Sequence, residues 1–312
     1  MNLPFYDEAN VKASILMPDA IHAMRNAFIA LSNGSAIVPN RINLPMEDQN
    51  ALHLSMPAYI KGGAYNTIKL VDVHFDNPQK GLPLINGVIL VMNAKKGDPL
   101  ALIEGKSVTA LRTGAGTGLA TDLLARKNSK RAIIFGTGAQ AKTQIDAIRS
   151  VRNLTSIIVI GKSEEKTIKF CNSFDSIIQP GEVSDLKNAD IICTATTSKT
   201  PLFNFEDIKA GVHINAIGAH QADTRELDTS LIQKSKVYID QLSSSQIEAG
   251  DLIIPINEGK YNWNNIEGEL GELIDEKIAG RTSEDEITIF NSIGNAVQDL
   301  VIASMVFEKN QT

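Results

Sequence analysis

Residues 131–141 read RAIIFGTGAQA, four apolar residues running directly into small ones spaced Gly-x-Gly-x-x-Ala. This segment constrains the fold more than any other in the chain. A buried strand that ends on Gly136 turns tightly, Gly138 lets a ligand approach the backbone, and Ala141 keeps the following helix close to the strand. The helix start at Ala139 and Gln140 offers unpaired N–H groups and a positive dipole end, which suit the phosphates of a dinucleotide. Further apolar strand-like runs follow: SIIVIG (156–161), SIIQ (176–179), ADIICTAT (189–196), VHINAIG (212–218) and KVYID (236–240). Ile/Val-rich runs separated by amphipathic stretches indicate a parallel sheet covered on both faces. The expected fold is α/β, with a doubly wound Rossmann sheet.

The run at 156–161 leads into Lys162-Ser163. Enzymes that use NAD place an acid near this point to accept from the ribose hydroxyls. A cation and a hydroxyl suit a 2′-phosphate instead, so NADP(H) is the preferred cofactor. NAD(H) is the alternative if Glu164 or Glu165 reaches the ribose.

The first third has a different texture. A helical stretch, Pro18–Leu31, precedes short β-like runs at Arg41–Leu44, Ala51–Met56, Tyr65–Val73 and Pro83–Asn93, joined by turn formers such as Asn77-Pro78 and Gly97-Asp98-Pro99. Successive strands with short turns argue for an antiparallel or mixed sheet, hence an α+β domain. Near Thr113, TGAGTGLATDLLARKN opens a helix with Leu119, Leu123 and Leu124 at helical spacing. Asp285–Phe307 reads as one long amphipathic pattern, expected to return to the first domain. The division is therefore 1–115 with 286–312 for a substrate-binding and dimerisation domain, and 116–285 for the nucleotide domain.

Composition removes several function classes. The 312 residues are 43% hydrophobic and carry a formal net charge of -6, and no basic block offers a footprint for nucleic acid. No apolar run is long enough to span a bilayer, and the N-terminal MNLPFYDEANVKAS lacks a signal-peptide layout. Two cysteines, Cys171 and Cys193, do not make a disulfide framework. The expected compartment is the cytoplasm. His22, His53, His74, His213 and His220 form no metal-binding spacing, so no metal is expected.

Three cations stand in apolar or turn contexts: Arg41 before a strand, Lys69 within YNTIKLVDV, and Arg112 in TALRTGAG. Brought together, they would hold a carboxylate, with arginine providing bidentate geometry. His220 follows the run at 212–218, at the strand end where open α/β sheets bind ligands.

These pieces together resemble the ornithine cyclodeaminase/mu-crystallin family over nearly the whole chain. The resemblance is carried by MPAY (56–59), NPQKGLP (77–83), DPLALIEG (98–105), RTGAGTGLATDLLAR (112–126), FGTGAQA (135–141), ADIICTATTS (189–198), GVHINAIGA (211–219), RELD (225–228), AGDL (249–252) and EITIFNSIGNAVQD (286–299). It implies a homodimer paired through the outer domain, and an active site in a cleft against the nucleotide domain. It also implies that Arg41, Lys69 and Arg112 bind a substrate carboxylate, and that Gly136, Gly138, Ala139 and Gln140 hold the pyrophosphate. Lys162 and Ser163 stand where NADP-using members carry an arginine and a threonine. Thr113, Thr194, Gly218 and Gly294 match residues near the ribose and nicotinamide. One position departs: cyclodeaminases carry an aspartate where this chain has His220, with Asp223 nearby. HQADTRELD is similar instead to members that reduce ketimines and pyrrolines. The expected activity is therefore NAD(P)H-dependent reduction of a small 2-imino acid, with Lys69 and His220 as catalytic candidates. Ornithine cyclodeamination with bound NAD and alanine-type dehydrogenation are the alternatives within the family; a nucleotide-binding protein without turnover is the alternative outside the enzyme class.

Overall fold

The computed structural model describes residues 2–311, and the chain divides into two compact units. Unit 1 comprises Met1–Arg112 with Asn295–Thr312, and unit 2 comprises Thr113–Gly294.

Unit 1 is built on a seven-stranded sheet: β1 (Phe5–Tyr6), β2 (Ala36–Ile37), β3 (Ile42–Met46), β4 (Ala51–Ile60), β5 (Tyr65–His74), β6 (Ile85–Asn93) and β7 (Pro99–Glu104). The order is β1-β7-β6-β5-β4-β2, with β3 also paired to β4; among the described residues only the β1–β7 pair of this sheet is parallel. Side chains alternate between faces with period two. Met56 and Lys69 are cross-strand partners on one face, and His53 and Asp72 are partners on the other. Helix α1 (Glu8–Ser14) is followed by α2 (Met17–Ser32), whose Ala20, Met24, Ala27 and Phe28 are buried. The C-terminal helix α10 (Ala296–Lys309) packs Ala296 and Leu300 against Met56 and Ala58 of β4. The sheet face that carries Lys69 is thereby shielded from water.

Between these segments lie α3 (Gly105–Leu124), β8 (Arg131–Phe135), α4 (Ala139–Val151), β9 (Ser156–Ile160), α5 (Glu164–Cys171), β10 (Ile178–Pro180), β11 (Ile191–Thr194), β12 (His213–Ala216), α6 (Thr229–Gln233), β13 (Lys236–Ile239), α7 (Leu242–Glu248), α8 (Gly250–Asn257), β14 (Gly268–Glu269), α9 (Leu270–Ile274) and β15 (Thr288–Asn291). Unit 2 is an eight-stranded parallel sheet of order β10-β9-β8-β11-β12-β15-β13-β14. The chain leaves β8 in one direction through β9 and β10, then crosses back to β11 on its other side. That reversal is the switch point of a doubly wound fold, with ligand binding expected at the carboxyl ends of the strands.

Two elements differ from the sequence expectation. Asp285–Phe307 is not one helix: Thr288–Asn291 is strand β15, inserted between β12 and β13, and α10 begins only at Ala296 behind a capping box on Asn295. The expected return segment 286–312 therefore splits, its first part lying in the nucleotide sheet. The apolar residues of ITIFN suit a strand buried on both faces, and such a run lacks a period that separates it from a buried helix. Helix α3 starts eight residues before Thr113, at Gly105, where the Glu104 carboxylate accepts from Lys106 N at 2.9 Å and Ser107 N at 2.7 Å. Arg112 is thus inside the helix and not ahead of it. Residues 114–121 of α3 are all buried. Their small side chains let the helix run through protein interior, which offsets the poor helix propensity of Gly114, Gly116 and Gly118.

Candidate active site

The chemistry-bearing residues fall into two groups, one in each unit. In unit 1, Lys69 projects from β5 and Arg112 from α3, and both meet Asp299 of α10. Lys69 Nζ donates to Asp299 Oδ2 at 2.6 Å and Arg112 Nε donates to Asp299 Oδ1 at 3.2 Å. A second Arg112 nitrogen, Nη1, donates to Gln298 Oε1 at 2.9 Å. All four residues are buried, Asp299 being 1% exposed. Two buried cations thus share one buried carboxylate. The positive excess is what an incoming anion would neutralise, and charge-assisted contacts of this kind are short and strong. Burial pulls the Lys69 ammonium down to about 8; Asp299 opposes that shift, while Arg112 and Arg41 add to it. Arg41, in the stretch leading into β3, therefore acts on Lys69 electrostatically. Two cations from separate segments, Lys69 and Arg112, meet at one carboxylate, and Lys69 is held near the pH at which a side chain can both hold and release a proton.

In unit 2 the Gly-x-Gly-x-x-Ala turn joins β8 to α4. Gly136 has φ 112° and a Cβ there would lie 2.6 Å from Ala195 O, so only glycine fits. Gly138 is the N-cap of α4 with no side-chain cap, and a Cβ on it would meet nothing within 4 Å. Ala141 is fully buried against the sheet. Open space before an uncapped helix start fits a pyrophosphate held by the N–H groups of Ala139 and Gln140. Lys162 is exposed beyond the carboxyl end of β9, and Ser163 caps α5, its Oγ accepting from Lys166 N at 3.4 Å.

Thr194 and Gly218 face an acid that residue-by-residue reading missed. Glu226, within RELD, is fully buried and accepts from Thr194 Oγ1 at 2.7 Å and Gly218 N at 2.9 Å. Gly294 N donates to Asp240 Oδ2 at 2.8 Å, and Thr113 sits in α3. His220 is exposed in the loop after β12, with its Nδ1 3.0 Å from Gly218 O. Asp223 is exposed and pairs with Lys199 at 3.6 Å. Asp299 and Gln298 were also missed. Their signal was an amide and an acid standing between Val297 and Leu300 on an apolar helix, where an unpaired charge would be costly.

The sequence model of the ornithine cyclodeaminase/mu-crystallin family matches residues 4–312. A Delta(1)-pyrroline-2-carboxylate reductase of Bacillus cereus is 38% identical over 293 residues, covering 91% of this chain and 90% of that protein. The structure of Thermococcus litoralis Delta(1)-pyrroline-2-carboxylate reductase in complex with NADH and L-proline matches with a TM-score of 0.93 at 36% identity, covering 98% of this chain and 97% of that one. An archaeal alanine dehydrogenase dimer with bound NAD matches with a TM-score of 0.93 at 31% identity, covering 99% and 96%.

Proposed function

The chain belongs to the ornithine cyclodeaminase/mu-crystallin family, and on that premise we propose that it reduces a small cyclic 2-imino acid of the pyrroline-2-carboxylate type to the amino acid. The observation that carries this reading is the convergence of Lys69 and Arg112 on Asp299, with the charge of Arg41 felt at Lys69. Arg41, Lys69 and Arg112 bind the substrate carboxylate and orient C2. Such positioning supplies a large part of a barrier, up to ~7–11 kcal/mol. When bound, a reduced nicotinamide dinucleotide supplies the hydride that adds to C2. The imine nitrogen gains a proton, and Lys69 Nζ, hydrogen-bonded to Asp299, holds and relays one at the required pH. Gly136, Gly138, Ala139 and Gln140 cradle the pyrophosphate, with Thr113, Thr194, Gly218 and Gly294 toward the ribose and nicotinamide. Lys162 and Ser163 favour NADPH, since a cation pairs with a 2′-phosphate where an acid would repel it; related structures hold NADH or NAD, so NADH serves as well.

His220 stands exposed in the loop beyond β12. It offers no fixed negative charge to the distal ammonium of ornithine, which disfavours cyclodeamination. Two copies of the chain pair through unit 1. The sheet face opposite α10 carries Leu44, Pro57, Ile68 and Leu70, and Ile42 at its margin is 62% exposed. Exposed Ile42 and Leu44 beside the His53–Asp72 pair on this face call for cover. Cys171 and Cys193 are both buried and free, which fits a reducing compartment, and we place the enzyme in the cytoplasm. Among the described residues no helix is long and apolar enough to cross a membrane.

A coupled assay tests the reading. NADPH oxidation with pyrroline-2-carboxylate should proceed, NADH should be used less efficiently, and ornithine with NAD should release little proline or ammonia. Lys162→Ala should erase the preference for NADPH. Robust proline formation from ornithine without imine reduction would replace this reading with cyclodeamination.

A further inference from the structure

The buried Glu226 carboxylate accepts four hydrogen bonds at the carboxyl ends of the unit 2 sheet. Its Oε1 accepts from Thr196 N at 2.7 Å and Thr196 Oγ1 at 2.6 Å, and its Oε2 from Thr194 Oγ1 at 2.7 Å and Gly218 N at 2.9 Å. One buried carboxylate therefore ties the end of β11 to the end of β12. The segment it holds includes Ala195, whose carbonyl packs against Gly136 so closely that a Cβ there would lie 2.6 Å away. On the other side it holds Gly218, whose carbonyl oxygen is 3.0 Å from His220 Nδ1. Gly218 has no room for a side chain either: its Cβ would lie 2.6 Å from the Glu226 carboxylate.

The acid is itself held in place. Asp251 Oδ1 accepts from Glu226 N at 2.7 Å and Leu227 N at 2.9 Å, while Asn291 Nδ2 of β15 donates to Asp251 Oδ2 at 3.1 Å. Gly250, at the start of α8, packs so tightly on the loop that its Cβ would lie 1.9 Å from Thr224 O. Residues 218–227 are thus fixed from both ends, and the fixed point faces the reversal between β8 and β11.

We propose that Glu226 is a positioning residue, setting the spacing between the dinucleotide turn at Gly136 and the loop that carries His220. The inference rests on the reading of unit 2 as the dinucleotide-binding unit. A carboxylate is needed because each oxygen takes a backbone N–H, which can only donate. An amide offers one oxygen, so Glu226→Gln leaves either Thr196 N or Gly218 N facing an NH2 group. A half-buried donor left without its acceptor still costs free energy, and the two strand ends part.

The test uses the full-length protein without substrate. Hydrogen exchange is followed over 194–198 and 217–224, with α10 as the reference, and NADH affinity is read from its fluorescence. Glu226→Gln should exchange at least about tenfold faster in those two segments alone and bind NADH about tenfold more weakly, the size expected from one lost charge-assisted hydrogen bond. Its kcat for the imine should fall while KM for the imine stays near the wild-type value, because the carboxylate clamp is untouched. Thr196→Val, which removes the hydroxyl donor to Oε1 and keeps both the acid and the Thr196 N–H, should show the same pattern more weakly, and carries the test if the glutamine variant does not fold. Unchanged exchange and NADH affinity would overturn the proposal. So would exchange that rises equally in α10, which would make Glu226 a general stability residue. Neither readout requires an imine, so a failed imine assay with loosened loops would remove the substrate reading and leave Glu226 standing.

Discussion

Lys69 is pulled in opposite directions, burial and its cationic neighbours favouring loss of its proton and Asp299 favouring retention; the balance is about 8. If the protonated form binds the carboxylate and supplies the proton, kcat/KM for the imine falls as pH rises through about 8, since that parameter reports groups of the free enzyme. Asp299→Asn removes the attraction that raises Lys69, so the limb should move to lower pH; Lys69→Arg should move it beyond the accessible range. Initial-rate pH profiles of the three proteins check this, and a limb that stays put in Asp299→Asn would mean another group titrates. The cations were legible in the chain because a charge inside YNTIKLVDV or TALRTGAG stands out from its surroundings. Their shared partner was not, because Asp299 arrives from 230 positions away along the chain. Pairing at that distance leaves no local trace. His220 was visible for the opposite reason: it stands in a short loop at the end of a well-marked strand.

Strand and helix order was readable where periodicity was sharp and lost where burial removed it. The Ile/Val runs of β8, β9, β11 and β12 declare themselves, and so does the glycine turn after β8. Strand β15 did not, since it is buried on both faces and runs on toward an apolar helix. Its placement beside β12 matters, because it brings Asn291 to Asp251. Burial and the charge of Glu226 push the Asp251 carboxyl up to about 7. Its folded value exceeds its ordinary value near ~4, so the folded state holds a proton that the unfolded chain has released between those limits. The stability this group contributes is full below ~4 and declines as pH rises to about 7. Asp251→Asn keeps an oxygen for the two backbone N–H groups, and its amide can donate to Asn291 Oδ1, a buried atom without a hydrogen-bond partner in the structure. Denaturant melts of both proteins from pH 4 to 8 should show the wild type losing stability relative to Asp251→Asn as pH rises. A constant difference would mean Asp251 is ionised throughout.

At the scale of the whole molecule, the division into a mixed-sheet unit and a parallel-sheet unit was legible from the change of texture near Thr113, although α3 begins earlier and the split falls within it. Exposed Ile42 and Leu44 on the unit 1 sheet face opposite α10 predict association: light scattering at micromolar concentration should give twice the chain mass, and Leu44→Lys should shift the protein toward monomer. Monomeric wild type would remove that claim. Imine reduction at this site requires Arg112 to read a carboxylate. The direct measurement is kcat/KM of wild type and Arg112→Ala with pyrroline-2-carboxylate and with 1-pyrroline, the same ring lacking the carboxylate, at saturating NADPH. Arg112→Ala should lose one to two decades for pyrroline-2-carboxylate, the equivalent of ~1.5–3 kcal/mol, and change less than about threefold for 1-pyrroline. An equal loss for both substrates would contradict this reading, because Arg112 would then support the fold or the hydride donor and not the substrate's carboxylate.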